Sequence, residues 1–158
     1  MGRMIYDTKT ALVLRRDLAP WQIANVAAFL AGGLAATHPV LKGEPYRDGG
    51  GKAYSALIRE PVFVYGATVE ELRRTHQRAL SRELVPAVYI EAMFKTTNDA
   101  DNRANVAATA TAALDRSPVP AHGSYVIRYR DKAVLRLLDL ALVPIRTGAR
   151  ATAANRAQ

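Results

Sequence analysis

The hydrophobic positions along this chain switch between a short, continuous pattern and a helical one. "TALVLRR" (Thr10 to Arg16) is an apolar run that ends in charge, which reads as a buried strand. "DLAP" follows as a turn, and Pro20 suits a first helical turn, where its missing N–H is not needed. From Pro20 to Thr37 the spacing predicts a helix. Ile23, Ala27, Leu30 and Leu34 share one face of it, while Gln22, Asn25, Phe29, Gly32 and Gly33 gather on the other. A loop or hairpin comes next, with Asp48-Gly49-Gly50-Gly51 able to supply the positive dihedral angles of a tight turn.

"LIREPVFVYGA" (Leu57 to Ala67) holds a second strand, strongest over Val62 to Tyr65. Thr68 and Glu71 have capping-box spacing and open a helix that runs to about Arg82, with Leu72, His76, Ala79 and Leu80 inward. "PAVYI" (Pro86 to Ile90) is a third strand, so strand, helix and strand predict a βαβ unit with parallel neighbours. "EAMFKTTNDADNRANVAATATAALD" mixes short helix and loop, and "SPVPAHG" is a breaker. "SYVIRYR" (Ser124 to Arg130) is a fourth strand, and Asp131 can cap an amphipathic helix in "KAVLRLLDLAL". From Thr147 onward the residues are small and polar without core formers, and disorder is expected.

Leu18 to His38 contains no Asp, Glu, Lys or Arg. It has the length of a membrane span but not the character, being mainly Ala and Gly with amides near its start. The segment is therefore expected to be a helix covered on both sides, by the sheet and by a second layer or a second subunit. A homodimer and no membrane attachment are the corresponding expectations.

Composition narrows the class. A chain of 158 residues fits one domain, taken as 1–146, with 147–158 as a tail. There is no cysteine, which removes disulfides, thiolate catalysis and cysteine-ligated metals, and fits a cytoplasmic location. The start does not resemble a signal peptide, because Ala11 to Leu14 is too short for its apolar core. The formal charge of +8 points either to anionic partners such as RNA or nucleotides, or to surface solubility alone. The charge is scattered, and Val143 to Gln158 carries Arg146, Arg150 and Arg156 with no acid. His38, His76 and His122 lack metal-ligand spacing, and no nucleotide-binding or nucleophile-elbow motif occurs. No metal and no cofactor is expected.

Two groups of residues carry candidate chemistry. Glu91 sits just past the third strand, followed by Lys95, Thr96, Thr97, Asn98 and Asp99. The carboxyl end of a strand is where open α/β sheets place ligands, and a carboxylate beside hydroxyls and a lysine can orient a water. The alternative is a solvated loop, with Asn98 or Asp99 as a cap. Gln22 and Asn25 either satisfy backbone groups in the first turns of their helix or line a pocket at its N-terminus, where the dipole favours an anion.

The blocks "ALVLRRDL…WQIANVAAFLAGGLAA", "GEPYRDGGGKAY", "TVEELRRTHQRAL…PAVYIEAMFKTTND", "NRANVAA" and "KAVLRLLDLAL" resemble the bacterial family called domain of unknown function 2000. The resemblance runs from about Lys9 to Ile145 and rests on the order and spacing of all the blocks. That family is related in fold to the type II peptidyl-tRNA hydrolases. The resemblance implies a three-layer α/β/α sandwich around a small mixed four-stranded sheet, and a homodimer. The related hydrolases cleave the ester joining a peptide to tRNA and open their first helix with a pattern like G-K-I-A-A-Q. Here the matching stretch is "WQIANV", with Gln22 in place of the lysine and Asn25 on the second alanine. They also carry a D-A-G-x-T-Q-like stretch; "EAMFKT" keeps a carboxylate at Glu91 and a hydroxyl at Thr96 but lacks the glycine. Two functions follow as expectations. One is a hydrolase of an acyl ester such as peptidyl- or aminoacyl-tRNA, with Glu91 and Thr96 catalytic and Gln22, Asn25 and Lys95 binding. The other is a non-catalytic dimeric binding protein for a small anionic or acyl ligand, because an amide does not supply the lysine's charge.

Overall fold

The computed structural model describes residues 6–109, 124–129 and 143–144. Its architecture is mixed α/β. In chain order the elements are β1 (Lys9–Arg15), α1 (Pro20–Thr37), β2 (Tyr46–Arg47), β3 (Ala53–Tyr54), β4 (Val62–Ala67), α2 (Val69–Leu80), β5 (Ala87–Tyr89), α3 (Asp99–Ala107), β6 (Ser124–Tyr129) and β7 (Val143–Pro144). A short 3-10 helix, Glu91–Lys95, follows β5.

The main sheet has five strands in the order β5-β6-β1-β4-β7, one more than the expected four. The extra strand is the two-residue β7, antiparallel to β4 and too short to leave a periodic signal. β1 and β4 are parallel, while β6 runs antiparallel to both β1 and β5. Thus β1, β4 and β5 share one direction. The βαβ unit forms, but its strands are not neighbours as expected. β6 and β1 lie between β4 and β5, because α2 carries the chain across both.

Strand alternation divides the core. On one face Leu12 and Leu14 of β1 pack with Val26, Leu30 and Leu34 of α1, together with Leu41, Tyr89 and Val126. On the other face Ala11 and Val13 pack with Ala67 and with Leu72 and Ala79 of α2. β1, buried from Thr10 to Leu14, is therefore the central strand of a helix–sheet–helix arrangement. Each fully buried Leu or Val here contributes ~1.5–3 kcal/mol relative to exposure.

α1 has the bounds that its spacing predicts, and it buries Val26, Leu30 and Leu34. Its outer face is not covered by any described element. Ala24, Ala28, Gly32, Gly33 and Ala36 are exposed there, as are Trp21 and Phe29. The expected cover by the sheet is present; among the described residues no second layer covers the other face, which leaves a second subunit as the other expected cover. No described helix is long and apolar enough to cross a membrane. In α2 the capping box is formed: the Thr68 N–H donates to Glu71 Oε2 at 2.8 Å and the Glu71 N–H to Thr68 Oγ1 at 3.3 Å. Leu72, Thr75, His76 and Ala79 form its inner stripe; Leu80, expected inside, is 39% exposed at the last turn.

β2 and β3 pair as a separate exposed hairpin. Asp48 organises its turn by accepting from the Gly50 and Lys52 N–H groups and from the Tyr54 hydroxyl, and Gly51 takes the positive φ of 86°. At the amino end of β1, the Thr8 hydroxyl donates to the buried Glu60 carboxylate and accepts from Arg128 Nη2 at 2.9 Å. The helix expected after Asp131 and the tail after Thr147 lie outside the described residues.

Candidate functional site

β1, β4 and β5 all end on one edge of the sheet, and the candidate residues sit there. The residues after β1 form the first side. Arg15 is only 15% exposed and is clamped by two carboxylates. Its Nε and Nη2 donate to Asp17 at 2.9 and 2.6 Å, and its Nη1 donates to Glu91 Oε2 at 2.7 Å. Such charge-assisted, forked contacts are the strong class of hydrogen bond. The hydrogen bond to Asp17, opposed by burial and reinforced by Glu91, raises the guanidinium pKa. The same bond holds Asp17 below the ordinary carboxylate range. The next residue, Arg16, pairs with Glu71 at the start of α2. The Arg15 N–H also donates to Ser124 Oγ at 3.2 Å, fixing the start of β6 against the end of β1.

The 3-10 helix Glu91–Lys95 forms the second side. Glu91 opens it with its carboxylate toward Arg15. Thr96 closes it, and its one hydroxyl proton lies between the Met93 carbonyl at 2.8 Å and Asn102 Oδ1. Thr96 therefore ties this turn to α3, whose own start is capped by Asn98 accepting from the Asp101 N–H. Lys95 is exposed and makes no ion pair among the described residues.

The first turns of α1 form the third side. Gln22 is at the third helical position, and its Oε1 accepts from the Ala19 N–H at 2.9 Å. It supplies the backward half of a capping box for which Ala19 has no side-chain acceptor. Asn25 lies one turn on, and its Oδ1 accepts from the Tyr89 hydroxyl at 3.3 Å. Burial raises the pKa of that phenol, so it stays protonated and able to donate at neutral pH.

An aromatic chain joins the second and third sides. Phe94 lies edge-on to Trp21 at 6.0 Å between ring centroids and 5.1 Å from Tyr89, and Tyr89 lies 5.8 Å from Phe29. The start of α1, which carries Gln22 and Asn25, thus meets the turn that carries Glu91, Lys95 and Thr96 through Trp21 and Phe94. The structure does not hydrogen-bond the two groups to one another. Sequence reasoning missed Arg15, Asp17, Trp21, Tyr89, Phe94 and Asn102. A pair of charges at the end of a buried strand is the only local signal for any of them. Among the described residues no three His, Asp or Glu side chains are grouped to hold a metal ion.

Comparison with curated proteins finds no match. Among solved structures, a protein of unknown function from Agrobacterium tumefaciens strain C58 is similar over 90% of this chain and 100% of its own, with 36% identity and a TM-score of 0.81. The profile of one protein family matches residues 8–125, from the start of β1 to the start of β6. By that match, which includes every side of the candidate site, the chain belongs to the family described as Protein of unknown function (DUF2000).

Proposed function

We propose that this chain is a binding protein for an acyl ligand, held where the first turns of α1 meet the turn Glu91–Lys95. The observation that carries this reading is the orientation of two amides. The oxygens of Gln22 and Asn25 are taken by the Ala19 N–H and the Tyr89 hydroxyl. Neither NH2 group has a hydrogen-bond partner among the described residues, so each amide can still donate. Uncharged donors at a helix N-terminus suit a carbonyl oxygen or the oxygen of a small anion. The remaining candidates have internal duties: Glu91 pairs with Arg15, and Thr96 fastens the turn to α3. A thermal-shift series with acyl-amino acids and nucleotides tests the reading. A rise in Tm with acyl compounds, without turnover, is the expected result; no rise with any of them removes it.

One observation favours a second reading. Glu91 Oε1 has no partner among the described residues, while Oε2 is fixed by Arg15. A carboxylate held at one oxygen can orient a water with the other. Together with the resemblance to the type II peptidyl-tRNA hydrolases, this supports a hydrolase of peptidyl- or aminoacyl-tRNA, with Lys95 on the substrate phosphate. Acyl release lost in Glu91→Ala would support it. No release above buffer would end it.

The same reading includes a homodimer. The exposed Gly32 and Gly33 would let a second backbone approach, since a Cβ at either position meets nothing within 4 Å. Light scattering at micromolar concentration is expected to give the dimer mass, and Gly33→Glu the monomer mass. A monomer mass for the unaltered chain would overturn it.

A further inference from the structure

We infer that the arm from Leu41 to Arg59 is a docking element for single-stranded nucleic acid. The exposed hairpin is the tip of a longer ribbon. The Arg59 N–H donates to the Leu41 carbonyl and the Gly43 N–H to the Leu57 carbonyl, each at 2.9 Å. Lys42 bridges to Ile58, Tyr46 pairs with Tyr54 and Arg47 with Ala53, all in one antiparallel register. The ribbon springs from the edge where β4 begins, opposite the rim that carries Glu91, so it is independent of the readings above. Every residue from Glu44 to Ser55 is exposed. These side chains add nothing to the core, and a lone two-stranded ribbon is marginal in water.

The chemistry of the arm selects the partner. Tyr46 and Tyr54, 55% and 50% exposed, lie directly opposite one another, so their rings share a face. Lys52 Nζ lies 5.9 Å from the Tyr54 ring centroid. Bases stack on such rings while cations hold the phosphates. Lys42, Arg47, Lys52 and Arg59 outnumber Glu44 and Asp48 along the ribbon, and the Asp48 carboxylate is taken up by the turn and by Tyr54. At the tip, a Cβ on Gly49 meets nothing within 4 Å, and its φ is not positive. The fold does not call for glycine there; the bare backbone lets a sugar–phosphate strand pass close to Arg47 and Lys52. A second copy carries the same formal charge of +8 and is a poor occupant, whereas a polyanion is complementary.

Fluorescence anisotropy with labelled oligouridylate and oligothymidylate tests the inference. Binding is expected at low salt and should weaken as salt rises; the tighter of the two names RNA or DNA as the source. Tyr46→Leu removes an exposed ring and should weaken binding about tenfold. Lys52→Gln should lower the log–log salt slope by about 0.7, the share of one phosphate contact on a single strand. Gly49→Glu sets a carboxylate at the tip and should weaken binding about tenfold. All these positions are exposed, so Tm should not change. Inorganic polyphosphate has the charge without the bases, and its binding should be indifferent to Tyr46→Leu; an equal loss there would overturn the stacking role. No binding of either oligonucleotide, or binding undiminished in both Tyr46→Leu and Gly49→Glu, would overturn the inference. A fall in oligomer mass in those variants, read by light scattering, would assign the arm to a second copy and overturn it as well.

Discussion

Arg15 shows how much of this protein depends on single side chains placed at a strand end. It links Asp17, Glu91 and, through its backbone, Ser124. The sign of the resulting pH dependence follows from Asp17, which Arg15 holds low, and from Glu71, which the Thr68 N–H and Arg16 hold low. Carboxylates with depressed folded pKa values stabilise the fold above their unfolded values, near pH 4, and lose that contribution as pH falls through the folded values. Urea stability should therefore be level above about pH 5 and fall below about pH 4, with a smaller fall in Asp17→Asn. Asp17 is exposed, so solvent screening keeps its share small. At the opposite end of β1, Thr10 Oγ1 is buried without a hydrogen-bond partner among the described residues. Thr10→Val replaces that hydroxyl with a methyl of like shape. It is expected to raise stability by about 1 kcal/mol in urea unfolding; a loss of similar size would mean that the hydroxyl has a partner.

At the scale of elements, local patterns predicted the right pieces. Pro20 and the apolar spacing of Ile23, Leu30 and Leu34 bounded α1, and Thr68 with Glu71 opened α2, because helix period and capping are properties of adjacent residues. Thr68→Ala should cost about 1 kcal/mol. Leu30→Ala, which removes a side chain pressed between α1 and β1, should cost ~2–5 kcal/mol by thermal or urea unfolding. What the pattern did not contain was pairing. Nothing in "PAVYI" states that β5 takes β6 as its neighbour, and nothing near Glu91 announces Arg15 far back in the sequence. The candidate site was read in the same partial way. Glu91 and the two α1 amides were visible as residue types at strand and helix ends. Gln22 finds its partner, Ala19, three residues away, but Arg15 and Tyr89 are set by the fold and change what Glu91 and Asn25 offer.

For the whole molecule, the sheet order has a consequence in time. β5 is an edge strand, and among the described residues its only strand neighbour is β6. β1 and β4, by contrast, pair directly and are both made early in the chain. A nascent chain can thus join its central strands while β5 still has no ladder to enter. Pulse-labelled hydrogen exchange during refolding should protect Leu12 to Leu14 before Ala87 to Tyr89, and should protect the latter no earlier than Ser124 to Tyr129. Simultaneous protection of β5 with β1 would contradict this order. Because Tyr89 orients Asn25 and the turn after β5 delivers Glu91, the rim is completed by the arrival of a strand that contributes little to it directly. Under the proposed binding reading, a ligand meeting the growing chain before that moment would find Gln22 already held by Ala19 but Asn25 without Tyr89, so competence would come in one late step.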